Sequence, residues 1–261
     1  MKTKPYGRLL VLFVVLAMLF LWAPILIVVI ISFDTSKFLR FPLQGVTLSN
    51  YVSAVNNEDF VTGFINSLII GVGTAFVATA LALIIVQGTR KSTKGIGALI
   101  QGFATSPLLV PHIVLGLAFL MFYSNLALSD TYVGILIAHT IITLPYGMQS
   151  IGASLKAYNE NSEIVAKTLG ASDTVIFWRI LLPQISPGIL SALILGFLVS
   201  FDESVIVLFL SGQNTTTLPV QILNYLEVRA DPVIAAVSVL LIIFSGLLML
   251  FINKVLKVKF V

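Results

Sequence analysis

The chain contains no cysteine and only two histidines among its 261 residues. The absence of cysteine excludes a disulfide framework, a thiolate nucleophile and a cysteine-ligated metal site. The two histidines, His112 and His139, fall on separate apolar stretches, so a metal site would need carboxylates from distant parts of the chain. We therefore expect no metal ion and no cofactor bound by this chain, and we interpret both histidines as hydrogen-bonded structural side chains.

The common catalytic motifs are also missing. The sequence holds no Gly-x-x-x-x-Gly-Lys-[Ser/Thr] phosphate loop, no His-Glu-x-x-His and no Gly-x-Ser-x-Gly. The sequence therefore predicts a protein that is not an enzyme, and any nucleotide hydrolysis that drives it must take place in another subunit. An intramembrane enzyme is a remote alternative, and a purified chain that converts a substrate by itself would favour it.

Charged residues are scarce and apolar residues are abundant. Only 10% of the residues are charged, whereas 58% are hydrophobic, far from the averages of soluble domains. Apolar stretches reach the roughly 20 residues that a helix needs to cross a bilayer. The net charge of +4 comes from basic residues at the ends of these stretches rather than from one patch, so we expect lipid and not nucleic acid as the surrounding partner.

Six apolar stretches predict one all-α integral membrane domain over residues 1–261 with six transmembrane helices. We read the first stretch as a retained span, because it is too long for the apolar core of a signal peptide. Short helices are predicted in the two long polar connections, at 48–56 and 219–228. The six predicted spans are residues 9–32, 64–86, 96–122, 131–151, 187–210 and 233–255.

The distribution of basic residues predicts the orientation of the chain. With both termini, the turn 88–95 and the loop 158–183 on one side, that side holds twelve basic residues and the other holds three, which accounts for all 15. Such a bias places the richer side in the cytoplasm. The twelve are Lys2, Lys4, Arg8, Arg90, Lys91, Lys94, Lys156, Lys167, Arg179, Lys254, Lys257 and Lys259, and the three are Lys37, Arg40 and Arg229.

The loop 158–183 is the long polar segment on the predicted cytoplasmic side. Residues 162–169 have helical spacing, and Gly170 ends this helix because glycine adopts the left-handed conformation at low cost. Ser172 is placed to cap a second helix, with Asp173 favourable near its N-terminal dipole. That second helix is predicted to stop before Pro183. A bent pair of helices outside the bilayer suits contact with another protein, although an amphipathic loop lying flat on the membrane is an alternative.

The loop resembles the EAA loop of ABC-transporter permeases. The resemblance lies in the run from Ala166 to Ser172 and in the spacing from Gly170 to Ile180 and Leu182-Pro183. The sequence departs from the motif at one position. The motif has a glutamate where this sequence has Ile164, and Glu163 lies one residue too early to match it. The resemblance implies a type I ABC importer permease fold with an ATPase-coupling loop. Its implied coupling residues are Glu163, Ala166, Lys167, Leu169, Gly170, Ala171, Ser172, Ile180 and Pro183.

The same resemblance implies the assembly around the chain. It implies a paralogous permease subunit beside this chain, two ABC ATPase subunits that carry ATP and magnesium, and a periplasmic or extracellular solute-binding protein. The implied location is the bacterial cytoplasmic (inner) membrane. An ion-coupled secondary transporter is the main rival, and it predicts uptake that survives the loss of any ATPase.

Asp202 and Glu203 are two acidic residues inside the fifth predicted span. A charge at membrane depth is costly and usually faces a bundle interior or a wet cavity. If both lie on one helix they point about 100° apart, so one faces the solute path and the other pairs within the bundle. The run from Ser200 to Ser204 resembles permeases of the spermidine/putrescine importer family, which implies that Asp202, Glu203, Phe197 and Phe201 line the path of an amine cation. A purely structural role for the acids is the alternative.

Other amine-bearing solutes fit the acidic pair equally well. Opines, 4-aminobutyrate-like amino acids and aminophosphonates all carry an amine that a carboxylate attracts. The sequence therefore predicts an importer of polyamine-like cations, with these three classes as alternatives.

Overall fold

The computed structural model describes residues 5–90, 92 and 95–256, without the side chains of residues 5–8, 251–253, 255 and 256. Within these ranges the regular elements are helical, and one isolated antiparallel bridge joins Asp34 and Val46. Several basic residues of the charge count lie outside the described residues: Lys2, Lys4, Lys91, Lys94, Lys257 and Lys259.

Twelve α-helices follow one another along the described chain. They are α1 (Pro5–Ile31), α2 (Ser49–Asn56), α3 (Glu58–Thr89), α4 (Ile96–Thr105), α5 (His112–Tyr123), α6 (Tyr132–Lys156), α7 (Asn161–Thr168), α8 (Asp173–Ile176), α9 (Leu182–Asp202), α10 (Val205–Leu210), α11 (Leu218–Val228) and α12 (Pro232–Leu256). A 3₁₀ segment, Ser106–Leu109, follows α4, and a π-helical segment, Phe177–Leu181, joins α8 to α9. The short helices predicted in the two polar connections are confirmed as α2 and α11.

Four helical stretches of the described chain are long and apolar enough to cross a membrane, or five if one bent pair counts as a single span. The four are Leu9–Ile31, Glu58–Thr89, Asp173–Asp202 and Pro232–Leu250. The fourth predicted span corresponds to α6, which has 25 residues but carries buried polar side chains such as His139 and Thr143. The chain is thus an all-helical, multi-pass membrane protein, and the count of six spans stays a prediction.

The third predicted span is interrupted at its prolines. Residues Ile96–Leu109 and His112–Tyr123 form two helical arms bent by 105°. Val110 between them is extended, with φ −104° and ψ 128°. Pro107 and Pro111 explain the break, because proline lacks a backbone N–H and disfavours helix in the residue before it.

The fifth predicted span is wrong at both ends. Helix continues from Asp173 through the π-helical segment and α9, so Pro183 does not end the second helix of the loop. Pro183 lies in the first turn of α9, where the missing N–H costs little. At the other end, α9 stops at Asp202 and a separate helix, α10, begins at Val205.

The helices fall into two compact units, Met1–Val61 with Ile222–Val261, and Thr62–Gln221. In the first unit α12 packs on α1 and α2. The connection between α1 and α2 is fixed by Asp34, whose Oδ2 accepts from Ser36 Oγ at 2.5 Å and whose Oδ1 accepts from Gln44 N–H at 2.9 Å. These two hydrogen bonds hold the pKa of Asp34 below its ordinary value of 3.8.

In the second unit α6 packs along α9 through small residues. A Cβ on Gly188 would lie against Ser154 Oγ and 2.7 Å from the carbonyl oxygen of Ser150, both on α6. Ala192, one turn further along α9, is fully buried. Close approach of two helix backbones in a membrane depends on such positions, because dispersion contacts replace the hydrophobic driving force.

We expect Gly188→Ala to destabilise the protein although alanine favours helix. The added methyl overlaps Ser154 and the Ser150 carbonyl, and overpacking of this kind costs about 1–3 kcal/mol. Thermal unfolding of the purified chain in detergent measures the effect as a lower Tm. Gly152→Ala on α6 is the matched control, because open space surrounds its Cβ position. An equal Tm for the two variants would contradict the tight α6–α9 contact.

Candidate functional site

The bend in the loop 158–183 is built by the end of α7. Leu169 is the last residue of the turn, and Gly170 adopts φ +82°, in the left-handed region. Gly170 N–H donates to the Lys167 carbonyl and Ala171 N–H donates to the Ala166 carbonyl, both at 3.0 Å. This pair of bonds is the Schellman arrangement, which satisfies the last helix carbonyls and requires a residue that tolerates positive φ. The predicted glycine elbow is confirmed.

The start of α8 is capped as predicted. Ser172 Oγ accepts from Val175 N–H at 3.4 Å, and Asp173 occupies the first turn. Lys167 Nζ lies 2.8 Å from Asp173 Oδ1, so an ion pair crosses the bend. The hydrogen bond and charge of Asp173 raise the pKa of Lys167 above its ordinary value. Both partners are well exposed, so this pair contributes little to stability.

The elbow exposes several large apolar side chains. Leu169 is 82% exposed, and Ile164 and Trp178 are each 61% exposed. Val165 and Val175 are exposed as well. We call these five residues the elbow face. Exposed apolar side chains on a polar loop mark a surface for contact with another protein or with the membrane.

The coupling residues implied by the EAA resemblance differ in exposure. Glu163 and Ala166 are buried, so as placed here they do not present side chains to a second protein. Ala171 and Ile180 are half-buried. The exposed members are Lys167, Leu169, Gly170, Ser172 and Pro183.

The buried side of α7 holds an ion-pair cluster that joins it to the end of α3. Arg90 Nη1 donates to Glu163 Oε1 at 2.7 Å, and Arg90 Nη2 donates to Glu160 Oε1 at 2.9 Å. The Arg90 guanidinium also lies 5.0 Å from the centre of the Tyr158 ring. We call these four residues the Arg90 cluster. The sequence predicts Arg90 only as a cytoplasmic basic residue; the i, i+3 spacing of Glu160 and Glu163 places two acids one turn apart but does not reveal their partner.

A second group of polar residues lies where two helices are interrupted. Glu203 sits in the break between α9 and α10, with φ −71° and ψ 112°, and its Oε1 accepts from Ile206 N–H at 2.9 Å. Its Oε2 lies 2.7 Å from Nδ1 of His112, the first residue of α5. Glu203 therefore caps α10 and pairs with the break between α4 and α5. Discontinuous helices with polar groups at their ends are typical of solute sites in transporters.

The prediction that Asp202 and Glu203 neighbour each other on one helix is wrong, because the helix ends between them. The expected difference in environment is nevertheless present, since Asp202 is exposed and Glu203 is buried. Phe197 and Phe201 stack with ring centres 5.3 Å apart, and Phe201 directly precedes Asp202. Gly71 on α3 makes room for them, because its Cβ position is 3.1 Å from the Phe197 ring.

Both histidines have side-chain partners, as the sequence predicts for structural residues. His139 on α6 is fully buried, and its Nδ1 lies 2.7 Å from Ser200 Oγ on α9. His112 pairs with Glu203 as described above. Each histidine thus ties together two of the helices that surround the acidic pair.

Comparison with known proteins identifies relatives in one transport family. Residues 80–260 match the family described as "Binding-protein-dependent transport system inner membrane component". The chain is 27% identical over 227 residues to the spermidine/putrescine transport system permease protein PotC of Escherichia coli K12, covering 87% of this chain and 85% of that protein. It is 29% identical over 234 residues to the putrescine transport system permease protein PotI of the same strain, covering 85% and 82%.

Solved structures with the same fold are also found. One is a bacterial ABC transporter involved in the import of the acidic polysaccharide alginate, with a TM-score of 0.66, 16% identity and coverage of 98% of this chain and 96% of that chain. Another is an amino acid ABC transporter with histidines, with a TM-score of 0.59, 22% identity and coverage of 80% and 100%. At these identities the likeness establishes the fold. Because the family match spans more than half of the sequence, the chain belongs to the binding-protein-dependent transport system inner membrane components, as a permease subunit of an ABC importer and not an enzyme.

Proposed function

We propose that the chain imports polyamine-like cations as one half of a permease pair. It forms one domain with six transmembrane helices and both termini in the cytoplasm of a bacterial inner membrane. A paralogous permease completes the path, two ATPase subunits hold ATP and magnesium, and a solute-binding protein delivers from outside. The loop 158–183 then lies on the cytoplasmic side, where its elbow face meets an ATPase.

The observation that supports this coupling role is the elbow face itself. Five large apolar side chains surround a glycine-dependent bend on the loop that resembles the EAA motif. When the ATPases close on ATP, they move the docked elbow. The helical stretch from Asp173 to Asp202 has no loop in it, so it carries this movement from the elbow to Asp202 and Glu203. The energy enters as differential contact of the ATPases with two conformations of the permease.

The proposed solute class rests on Asp202 and on the relatives. The two relatives, PotC and PotI, are named for spermidine/putrescine transport and putrescine transport. Asp202 offers an exposed carboxylate at the end of α9, and the stacked rings of Phe197 and Phe201 belong to the residues five and one positions before it. An ammonium group is attracted by a carboxylate and by an aromatic face, whereas the alkyl chain between amines packs on the rings. Glu203 is already bound to Ile206 N–H and to His112, so Asp202 is the carboxylate that contacts the solute.

We expect Asp202→Asn to lower uptake of radiolabelled putrescine or spermidine by about tenfold or more, because a charge-assisted contact is worth about 1.5–3 kcal/mol. Uptake into proteoliposomes that contain the complete importer measures this loss, together with ATP hydrolysis. Asp59→Asn, an exposed acid in the first turn of α3, is the control and should leave uptake unchanged.

Three outcomes would count against the proposal in different ways. Unchanged uptake by Asp202→Asn would remove Asp202 from the solute path. Competition by 4-aminobutyrate or an aminophosphonate, with no effect of spermidine, would move the solute to another amine class. Uptake that follows an ion gradient and continues without the ATPases would favour the secondary transporter.

A further inference from the structure

The contacts of Arg90 connect two parts of the chain that are far apart in sequence. Arg90 follows the last residue of α3, and its partners Glu160 and Glu163 lie 70 and 73 residues later. Arg90 Nε makes a third bond, to Glu160 Oε1 at 3.3 Å. One guanidinium thus reaches two carboxylates that are one helical turn apart, and its planar group of donors suits such a double contact.

Two charged members of the Arg90 cluster, Arg90 and Glu163, are shielded from solvent. The side chain of Arg90 is 7% exposed and that of Glu163 is 11% exposed, whereas that of Glu160 is 70% exposed. Burial works against the charge of Arg90, but the hydrogen bonds to Glu160 and Glu163 outweigh it and raise the pKa of Arg90 above its ordinary value. Arg90→Gln would therefore leave Glu163 as a buried charge without this cation, which is the costly way to break an ion pair.

Glu163 and the elbow face lie on opposite sides of α7. Glu163 is buried, whereas Ile164 and Val165 are exposed. A force on the elbow face is therefore transmitted through α7 to its opposite side, where Arg90 contacts Glu163. Besides this contact, α7 packs on α8 and on the π-helical segment Phe177–Leu181, which lead into α9.

A cavity of about 880 Å³ lies beside the cluster. Arg90, Tyr158 and Glu160 line it, together with Gln101 on α4 and Lys156 at the end of α6. The cavity reaches Glu160, the residue that precedes α7, so the chain is not closely packed on this side of the start of α7. The ion pairs of Arg90 with Glu160 and Glu163 join α7 to the end of α3 at the edge of this cavity.

We propose that Arg90 is a positioning residue that makes α7 and the end of α3 move as one body. Movement of the elbow then reaches α3 directly, in parallel with the route through α8 and α9. This inference rests on the proposed docking of an ATPase at the elbow face. It goes beyond that docking because it assigns a second path for the movement, through a residue outside the loop.

The absence of native cysteine allows a clean distance measurement. Gly88→Cys places one spin label at the end of α3, and Thr168→Cys places the other on α7. Gly88 is exposed and has open space around its Cβ position, and Thr168 is also exposed. Double electron–electron resonance then measures the distance between the two labels in the assembled importer, without nucleotide and after trapping with ATP and vanadate. We expect one narrow distance distribution that is the same in both states. In Arg90→Gln we expect it to broaden or to shift by about 5 Å, the size of a one-turn displacement.

Function gives the second readout. In Arg90→Gln, we expect the amount of putrescine taken up per ATP hydrolysed to fall about tenfold, within the usual range for coupling between sites, while the ATPases stay bound. Arg90→Lys keeps the charge without the double contact and should lie between wild type and Arg90→Gln. Lys156→Gln removes one positive charge from the same cavity and should change neither the distance nor the coupling.

A narrow, unchanged distribution in Arg90→Gln would overturn the proposal. If that variant does not assemble, Glu160→Gln removes only the exposed partner, and it should broaden the distribution less; no broadening there would also overturn the proposal. Failure of the docking proposal is a separate result. In that case the wild-type elbow binds no ATPase, but the labels on the permease alone still show whether Arg90 holds α7 to α3.

Discussion

Replacement of Gly170 with valine is expected to abolish uptake while leaving the chain folded. Gly170 has φ +82°, a conformation that costs an ordinary L-residue about 1–2 kcal/mol and is especially poor for a β-branched side chain. Nothing lies near the Cβ position, so the effect is one of backbone conformation and not of a steric clash. Valine therefore favours another path for the chain after Leu169, and the elbow face is no longer held in one shape.

The matched variant is Gly170→Asn, because asparagine tolerates the left-handed region better than other non-glycine residues. Uptake by the reconstituted importer should be near wild type with asparagine and lost, by about a hundredfold, with valine if the elbow must hold one shape to transmit force. Tm should stay close to wild type with asparagine and fall by only a few degrees with valine, because the cost of about 1–2 kcal/mol falls on one exposed bend. Affinity for the solute-binding protein should not change. Full uptake by Gly170→Val would remove the coupling role from this bend.

Local rules predicted the elbow because its geometry depends on neighbouring residues. Gly170 ends α7 and Ser172 caps α8 through bonds that span only three to five residues. Where the outcome depends on hydrogen bonds, caps and backbone conformation within one or two turns, the sequence is sufficient.

Predictions failed where distant contacts decide the structure. An apolar stretch was expected to continue past Asp202, but Glu203 leaves the helix to cap α10 and to meet His112, which lies 91 positions earlier. Pro183 was expected to end the second helix of the loop. The helix instead continues through the π-helical segment into α9, and Pro183 lies in the first turn of α9. The partner of Arg90 was also out of reach, because nothing local links residue 90 to residue 163.

A carboxylate on the elbow face is expected to prevent the ATPase from binding. Leu169 is the most exposed member of this face, at 82%. Covering such a side chain contributes about 1.5–3 kcal/mol, and burying a carboxylate in its place adds a desolvation cost. We therefore expect Leu169→Glu to weaken ATPase binding about a hundredfold or more. Co-purification of the ATPase with the permease pair, followed by titration of purified ATPase, measures the change.

Thr168→Glu separates the loss of an apolar contact from a general effect of charge. Thr168 is an exposed polar neighbour at the same end of α7, so both variants place a carboxylate near the helix C-terminus, where the dipole disfavours it equally. Only Leu169→Glu removes an apolar side chain, so it alone should lose the ATPase. Equal losses would mean that charge repulsion, and not apolar docking, governs the contact.

Ile164 gives the sharpest form of this test, because the EAA motif has a glutamate where this chain has isoleucine. If the motif residue itself determined binding, Ile164→Glu would strengthen the contact. Ile164 is instead exposed beside two other exposed apolar residues, Val165 and Leu169. An ATPase groove that fits isoleucine excludes a carboxylate, because burying the charge carries the same desolvation cost as at Leu169. We therefore expect Ile164→Glu to weaken ATPase binding, and stronger binding would show that the partner groove keeps a basic or polar site at this position.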